Sequence, residues 1–229
     1  MLRPKKKISK RELKQDALVT AYAKFSALYS EKRKQISVAV TTIIIVILAV
    51  VVYVNNRTAN NEKASAALGN IYPYFDSGQY AIAMDGVPEK NIPGLKSIVE
   101  NYGGTPSGEI ARFYLASCYY HLGTYDEALE HFERLDVKGQ LLEVARYSGI
   151  ACSYEAKGQY AEAAENYERA ATAFANDVSA AENLNHAARN YSLVGEKEKA
   201  LELYKKLKKN YPTTSFGREA ERYISKLSV

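Results

Sequence analysis

The sequence predicts an all-α protein in which one transmembrane helix near the amino terminus is followed by a solenoid of helical hairpins. The first observation is a run of 19 residues without charge, Ile36 to Val54. The second is a pattern of small and aromatic residues that returns three times, at spacings of 35 and 37 residues. Repeats of this length are supersecondary units that stack, because one unit cannot bury its apolar face alone. The three copies are Ala116, Tyr119, Gly123, Ala128 and Phe132; Ala151, Tyr154, Gly158, Ala163 and Tyr167; Ala188, Tyr191, Gly195, Ala200 and Tyr204.

Residues 1–35 form a basic segment, with eleven Lys or Arg against three Asp or Glu and a net charge of +8. A nucleic-acid partner is not predicted, because no aromatic residues are interleaved with Lys5, Lys6 and Lys7 and no groove-reading motif accompanies them. The segment is instead interpreted as cytoplasmic, where its charge orients the helix that follows and faces the membrane surface.

Residues 36–54 are predicted to cross a membrane once. At a rise of about 1.5 Å per residue the run spans about 28 Å, close to the hydrocarbon thickness of a bilayer. A cleaved signal peptide is the main alternative. The long polar segment in front, and the lack of a small-x-small site directly after Val54, favour a retained anchor. The excess of cations before the run predicts a cytoplasmic amino terminus and repeats on the outside, which in a bacterial inner-membrane protein is the periplasm.

Residues 55–106 are interpreted as a linker and a degenerate repeat with an inserted loop. Pro73 is predicted to kink or end the first helix of that repeat, since its ring removes a hydrogen bond and crowds the preceding turn. Turn residues from Asp85 to Gly94 predict a loop, and a short helix is predicted from about Leu95 to Tyr102. The positions that keep the repeat pattern are Tyr74, Gly78, Tyr80 and Ala83.

Residues 107–229 are predicted to form three helix-turn-helix units and a terminal helix. In the first unit, apolar residues recur three to four positions apart on each side of Gly123, which places them on one face of each helix. The glycine is expected just after the first helix, where a positive φ is needed. Alanine is expected where the two helices approach most closely, with an aromatic ring filling the space beside it. Phe216 to Leu227 is predicted to cap the last apolar face.

These units resemble the tetratricopeptide repeat. The third copy departs from that family's motif at Ala187 and Lys197 but ends in Tyr211-Pro212, where the family places its proline. The first copy matches the motif at Leu115, Ala116, Tyr119, Gly123, Tyr125, Ala128 and Phe132.

The resemblance implies a concave groove, lined by the first helix of each unit, that binds proteins or extended peptides. Tyr119, Tyr154 and Tyr191 are interpreted as packing residues, whereas Phe113 and Tyr120 are expected to contact a partner. Some members clamp a peptide carboxylate with an arrangement of Lys and Asn, which is not reproduced here. Only Asn185 and Arg189 in the third copy suggest an anion site. The candidate binding residues are Tyr72, Phe75, Phe113, Tyr120, His121, Asn185 and Arg189.

An enzyme is not predicted, and no catalytic, metal-binding or cofactor-binding residue is proposed. The three histidines, His121, His131 and His186, do not form an HExxH motif, and the chain has no phosphate-binding glycine loop or nucleophile elbow. His121 and His131 are expected to face solvent or to cap helices. Cys118 and Cys152 are expected to be free thiols, with a disulfide as the alternative in an oxidising compartment.

The layout also resembles a narrower group, the YfgM-type ancillary subunits of the Sec translocon, which combine a basic cytoplasmic segment, one membrane helix and periplasmic repeats. This resemblance implies a scaffold that tethers exported proteins, with their chaperones, beside the translocon or another envelope-assembly complex. One alternative is a structural subunit of a respiratory or photosynthetic complex, in which the membrane helix makes the main contact. Another is an organelle-type precursor receptor with cytosolic repeats, a topology that the +8 flank opposes.

Overall fold

The computed structural model describes residues 10–136, 138–174 and 177–228. The chain divides after Asn56 into two compact units, and all the repeats lie in the second, which begins at Arg57. Helices make up most of the described chain, in agreement with the predicted all-α class.

The first helix, α1, runs from Lys10 to Asp76 and departs from helical dihedrals at Lys32, where φ is −111° and ψ is 21°. Every side chain from Ser37 to Asn56 is exposed, so the apolar run has no packing partner within the described chain. By length and composition this helix is able to cross a membrane.

The predicted kink or early end at Pro73 is not found, because α1 continues with helical dihedrals to Asp76. Pro73 lies in the last turn, where its ring removes only one of the final backbone hydrogen bonds. Its carbonyl accepts hydrogen bonds from the Ser77 amide at 3.1 Å and the Ser77 hydroxyl at 2.8 Å, which close the end of the helix.

A short helix, α2 (Tyr80–Asp85), leads into a two-stranded antiparallel sheet where the sequence predicted only a loop. Strand β1 (Gly86–Val87) pairs with β2 (Ile92–Pro93), and a 3₁₀ turn at Pro88–Lys90 joins them. Gly94 directly follows strand β2. An added Cβ at this position would lie 2.3 Å from the Met84 carbonyl oxygen, so only glycine fits this close approach.

The repeats form a solenoid in which each helix packs on the next one along the chain. The predicted short helix is confirmed as α3 (Leu95–Tyr102), and the predicted terminal helix as α10 (Ser215–Leu227). The three hairpins between them are α4 (Pro106–His121) with α5 (Tyr125–Glu133), α6 (Gln140–Ala156) with α7 (Tyr160–Ala173), and α8 (Asp177–Leu193) with α9 (Lys197–Asn210).

Each hairpin has a pair of fully buried alanines where its helices approach, as the pattern predicted. The pairs are Ala116 with Ala128, Ala151 with Ala163, and Ala188 with Ala200, all inaccessible to solvent. The turn glycines Gly123, Gly158 and Gly195 have φ values of 81°, 75° and 82°, which fulfils the expectation of a left-handed residue after each first helix. Because the alanines remove side-chain bulk at each crossing, the aromatic rings beside them become the core of the solenoid.

Two helices begin with the same capping arrangement, which the sequence analysis did not identify. The Thr105 hydroxyl accepts a hydrogen bond from the Gly108 amide and donates one to the Tyr102 carbonyl oxygen, at 3.1 and 2.8 Å. At the start of α10, Thr214 makes the equivalent bonds to Gly217 and Tyr211, at 3.0 and 2.8 Å. In both cases the hydroxyl satisfies an amide that has no partner within its helix.

The packing of α6 against α5 is tested by substitution of Gly149 with alanine. A Cβ at this position would lie 2.5 Å from the Phe132 ring, which is itself buried, so we expect Gly149→Ala to destabilise the fold by about 1–3 kcal/mol. The measurement is the thermal midpoint of the full chain, followed by circular dichroism.

Gly69→Ala is the matched control, because an added Cβ in that helix has no neighbour within 4 Å. Alanine favours a helix over glycine by about 1 kcal/mol, so the control should be neutral or stabilising. Equal midpoints for the two variants would contradict the close packing of Gly149 on Phe132.

Candidate functional site

The first helices of the repeats carry most of the predicted binding residues, and two cavities lie between α4 and α6. The larger has a volume of about 680 Å³ and the smaller about 230 Å³. Both are lined by Phe113 and Ala145, so they adjoin each other, and we call the two together the α4–α6 groove. The predicted residues Phe113, Tyr120 and His121 all line it.

The larger cavity is mainly apolar and opens at the start of α4 and α6. Leu141, in the first turn of α6, is 71% exposed at its edge. The repeat pattern did not predict this part of the groove. The available signal was Leu141-Leu142, an apolar pair in the first turn of α6. The apolar lining includes Ile110, Phe113, Tyr114, Leu141, Leu142 and Phe174.

A buried carboxylate, Glu109, fixes the edge of the larger cavity. It accepts hydrogen bonds from the Gly104 amide at 2.8 Å and the Asp136 amide at 3.0 Å, and it pairs with the Arg112 guanidinium at 3.2 Å. Arg57 donates to the Gly104 carbonyl oxygen at 2.7 Å. Because the carboxylate is only 5% exposed yet has three donors, it holds the loop before α4 and the loop after α5 in place.

The aromatic residues predicted on the degenerate repeat extend this lining through ring contacts. The Tyr114 ring lies 5.2 Å from Tyr72 and 4.7 Å from Phe75, measured between centroids, and it also contacts Phe113 at 5.5 Å. The distances are typical of favourable aromatic pairs. Tyr72, Phe75 and Phe113 therefore belong to one aromatic cluster that borders the groove.

Between α6 and α8 the surface is polar and closed by a network around Glu155. Its carboxylate accepts hydrogen bonds from the Tyr167 hydroxyl at 3.0 Å and the Asn190 amide at 3.1 Å, and it forms an ion pair with Arg189. The charge of Arg189 is therefore already compensated, so an anion would have to compete with Glu155 for it. Asn185 is half-buried on α8, and neither Asn185 nor Arg189 lines the α4–α6 groove.

Both cysteines are free, as expected. Burial raises the pKa of the Cys118 thiol to about 12. Burial also raises the pKa of Cys152, although its sulfur lies 3.2 Å from the Tyr167 hydroxyl. A thiol is nucleophilic only as the thiolate, so neither residue is activated for catalysis.

The histidines stack on tyrosine rings, and for His131 this overturns the expected solvent-facing or capping role. His131 is half-buried against Tyr119, with ring centroids 5.3 Å apart, and His186 stacks on Tyr167 at 5.0 Å. Burial lowers the pKa of both imidazoles and so favours their neutral form. His121 is exposed and lies parallel to the Tyr80 ring at 4.5 Å. Within the described chain, no group of three or more His, Cys, Asp or Glu side chains is arranged to hold a metal ion.

The fold and the groove define a helical-repeat scaffold of the protein-binding class. Residues 95–140 and residues 182–214 match two family models, each described as a tetratricopeptide repeat. The chain thus carries tetratricopeptide repeats, a module that generally binds proteins or peptides and is generally not enzymatic.

Comparison with solved structures agrees with this fold. The chain is similar to a protein from Podospora anserina assigned as a kinesin light chain, whose crystal structure has nearly identical TPR-like repeats, and to a point variant of that protein. In both cases the TM-score is 0.53 and the identity 19%, over 73% of this chain. The match covers 86% of the first neighbour and 85% of the second, and at this identity it supports the fold alone. No curated protein sequence matches the chain.

The polar network is tested by Glu155→Gln. The amide cannot carry the charge that pairs with Arg189, and one of its two terminal atoms no longer accepts a hydrogen bond. We expect a loss of about 1–3 kcal/mol in stability, measured as a lower thermal midpoint. Glu165→Gln on the exposed side of α7 is the control and should change stability by less than about 0.5 kcal/mol. Similar midpoints for both variants would show that Glu155 does not join α6 to α8.

Proposed function

We propose that this protein is a membrane-anchored scaffold that holds extended segments of partner proteins in the α4–α6 groove, on the extracytoplasmic face of a bacterial inner membrane. The observation that carries the proposal is the groove itself. It is an apolar depression on the first helices of two neighbouring repeats, with exposed aliphatic side chains at its edge. Exposed apolar surface of this kind is typical of interaction sites.

The anchor in this proposal is residues 36–54, which follow the cytoplasmic segment 1–35. The exposure of every side chain from Ser37 to Asn56 supports it, because an uncharged helix without a protein partner is stable in lipid and unfavourable in water. The charge of +8 before the helix supports an inside amino terminus. Residues 55–106 would then link the anchor to the repeats at 107–229.

Partner contacts are assigned to the aromatic end of the array. Phe113 lies where the two cavities meet, and Tyr120 and His121 line the smaller one. Aromatic side chains at the centre of an apolar pocket are frequent hot spots of protein interfaces. Tyr72 and Phe75 would extend this surface, whereas Asn185 and Arg189 would contact the polar part of a longer peptide.

The partner class follows from the layout. The Lys and Asn arrangement that clamps a peptide carboxylate in some tetratricopeptide repeats is not reproduced here, although Lys138 is exposed at the edge of the larger cavity. The groove therefore suits an internal extended segment better than a peptide terminus. Exported proteins at the Sec translocon, or components of an envelope-assembly complex, present such segments beside the membrane. This assignment rests on the resemblance to YfgM-type proteins, and the co-purification experiment below addresses it directly.

The groove is tested by Leu141→Glu in the full chain, purified from membranes in mild detergent with its partners quantified by mass spectrometry. A charge at this exposed edge removes an apolar contact worth about 1.5–3 kcal/mol, so we expect bound partners to fall at least tenfold. Leu193→Glu at the end of α8 is the matched control, since Leu193 is 57% exposed and lies outside both cavities.

Two results would contradict the proposal. One is equal partner recovery for Leu141→Glu and Leu193→Glu. The other is a stoichiometric complex that survives deletion of residues 107–229, which would instead indicate a structural subunit held by its membrane helix. If partner recovery depends on the groove but includes no translocon or envelope-assembly component, the protein would still be a scaffold. The proposed class of partner would then be wrong.

A further inference from the structure

Charge is distributed unevenly along the repeat unit. Residues 57–196 contain eleven Lys or Arg against nineteen Asp or Glu, a net charge of −8. Residues 197–229 contain nine Lys or Arg against four Asp or Glu, a net charge of +5. Residues 197–229 are therefore a basic region next to an acidic one. The proposed function of the groove does not explain this positive charge.

Most of this positive charge lies on the exposed side of α9. The buried side of that helix is formed by Ala200, Leu203, Tyr204 and Leu207, which pack in the core. Lys205 and Lys209 are four residues apart and project from the opposite side, with Lys206 and Lys208 on either side of them. Glu198 and Glu202 share this side but lie toward the start of the helix. We call Lys205, Lys206 and Lys209 the α9 lysine face.

No ion pair compensates the α9 lysine face within the described chain. Lys208 is paired with Glu221 of α10, and on α10 Arg222 is paired with Glu219 at 3.3 Å. Lys205, Lys206 and Lys209 are exposed and have no carboxylate within ion-pair distance among the described residues. Three ammonium groups are thus free to interact with an external anionic surface.

We propose that the α9 lysine face binds the anionic phospholipid headgroups of a membrane. Lysine ammonium groups on flexible stems suit a diffuse layer of phosphates, to which each basic residue adds a similar, roughly independent attraction. The candidate span in α1 keeps the chain near a bilayer, which raises the effective concentration of headgroups. The proposal does not depend on the groove, and it uses the proposed anchor only for this proximity.

The composition of the face argues against the other anionic partners. No large apolar side chain between residues 195 and 228 is exposed, so the face lacks the desolvated centre of a protein interface, and lysine is depleted in such interfaces. It also lacks an exposed aromatic platform on which nucleic-acid bases would stack. A charged lipid surface requires neither feature.

The test is lysine reactivity in the full chain, reconstituted in nanodiscs of neutral phosphatidylcholine or of the same lipid with about 30% phosphatidylglycerol. Acetylation by an activated ester is quantified at each lysine by mass spectrometry. We expect the reactivity of Lys205, Lys206 and Lys209 to fall at least threefold in anionic discs and to recover at about 0.5 M salt, where screening is strong. The exposed Lys90 and Lys138 are internal references and should not change.

A second measurement uses variants. Neutral discs carrying the wild-type chain should float with added anionic vesicles, and the triple variant Lys205→Gln, Lys206→Gln and Lys209→Gln should float at least tenfold less. The triple variant Lys63→Gln, Lys90→Gln and Lys138→Gln removes the same total charge and should behave as wild type. Equal lysine reactivity in the two kinds of disc would overturn the proposal. Protection of the three lysines in neutral discs that grows with protein concentration would also overturn it, because the face would then bind a second copy of the chain.

Discussion

The close approach of two helices at buried alanines is the constraint from which the rest of the repeat unit follows. Ala116 and Ala128 in the first hairpin, and their equivalents in the next two, leave no side-chain bulk between the helices. A hairpin joined in this way has a thin core of its own and must cover its remaining apolar surface with the next hairpin. Stacking then places the first helices side by side, and their exposed sides form one surface. The left-handed glycine after each first helix makes the turn short enough for this packing.

The same packing decides where the surface is open and where it is closed. Between α4 and α6, Gly149 has no side chain, so the Phe132 ring fills the space behind it and the apolar groove remains in front. Between α6 and α8, Glu155 receives hydrogen bonds from two helices and an ion pair from Arg189, and these contacts occupy the surface. One interface between repeats is therefore suited to contact with a partner, while the next is used for internal cohesion.

Periodicity was enough to predict the hairpins with their alanines and glycines, because these depend on residues within one unit. Turn residues bounded the helix at Leu95–Tyr102. The resemblance to the tetratricopeptide repeat placed Phe113, Tyr120 and His121 on the groove side of α4, and all three line the two cavities. It did not locate Ile110, Leu141 or Phe174, since the larger cavity forms where the ends of different helices meet. The sheet after α2 was missed for a similar reason: turn residues predict where a chain reverses, and two residue pairs are too few to give an alternating strand pattern.

Site-specific photocrosslinking of the full chain in intact cells can show whether partner proteins contact the groove. A photoreactive phenylalanine derivative is placed at Tyr120 or Leu141 in the groove, and at Glu130 or Glu165 on the exposed sides of the second helices. We expect both groove positions to capture the same partner proteins and the other two positions to capture them at least tenfold less. Capture of equal strength at Glu130 and Glu165, or no capture from Tyr120 and Leu141, would show that the groove is not the binding surface.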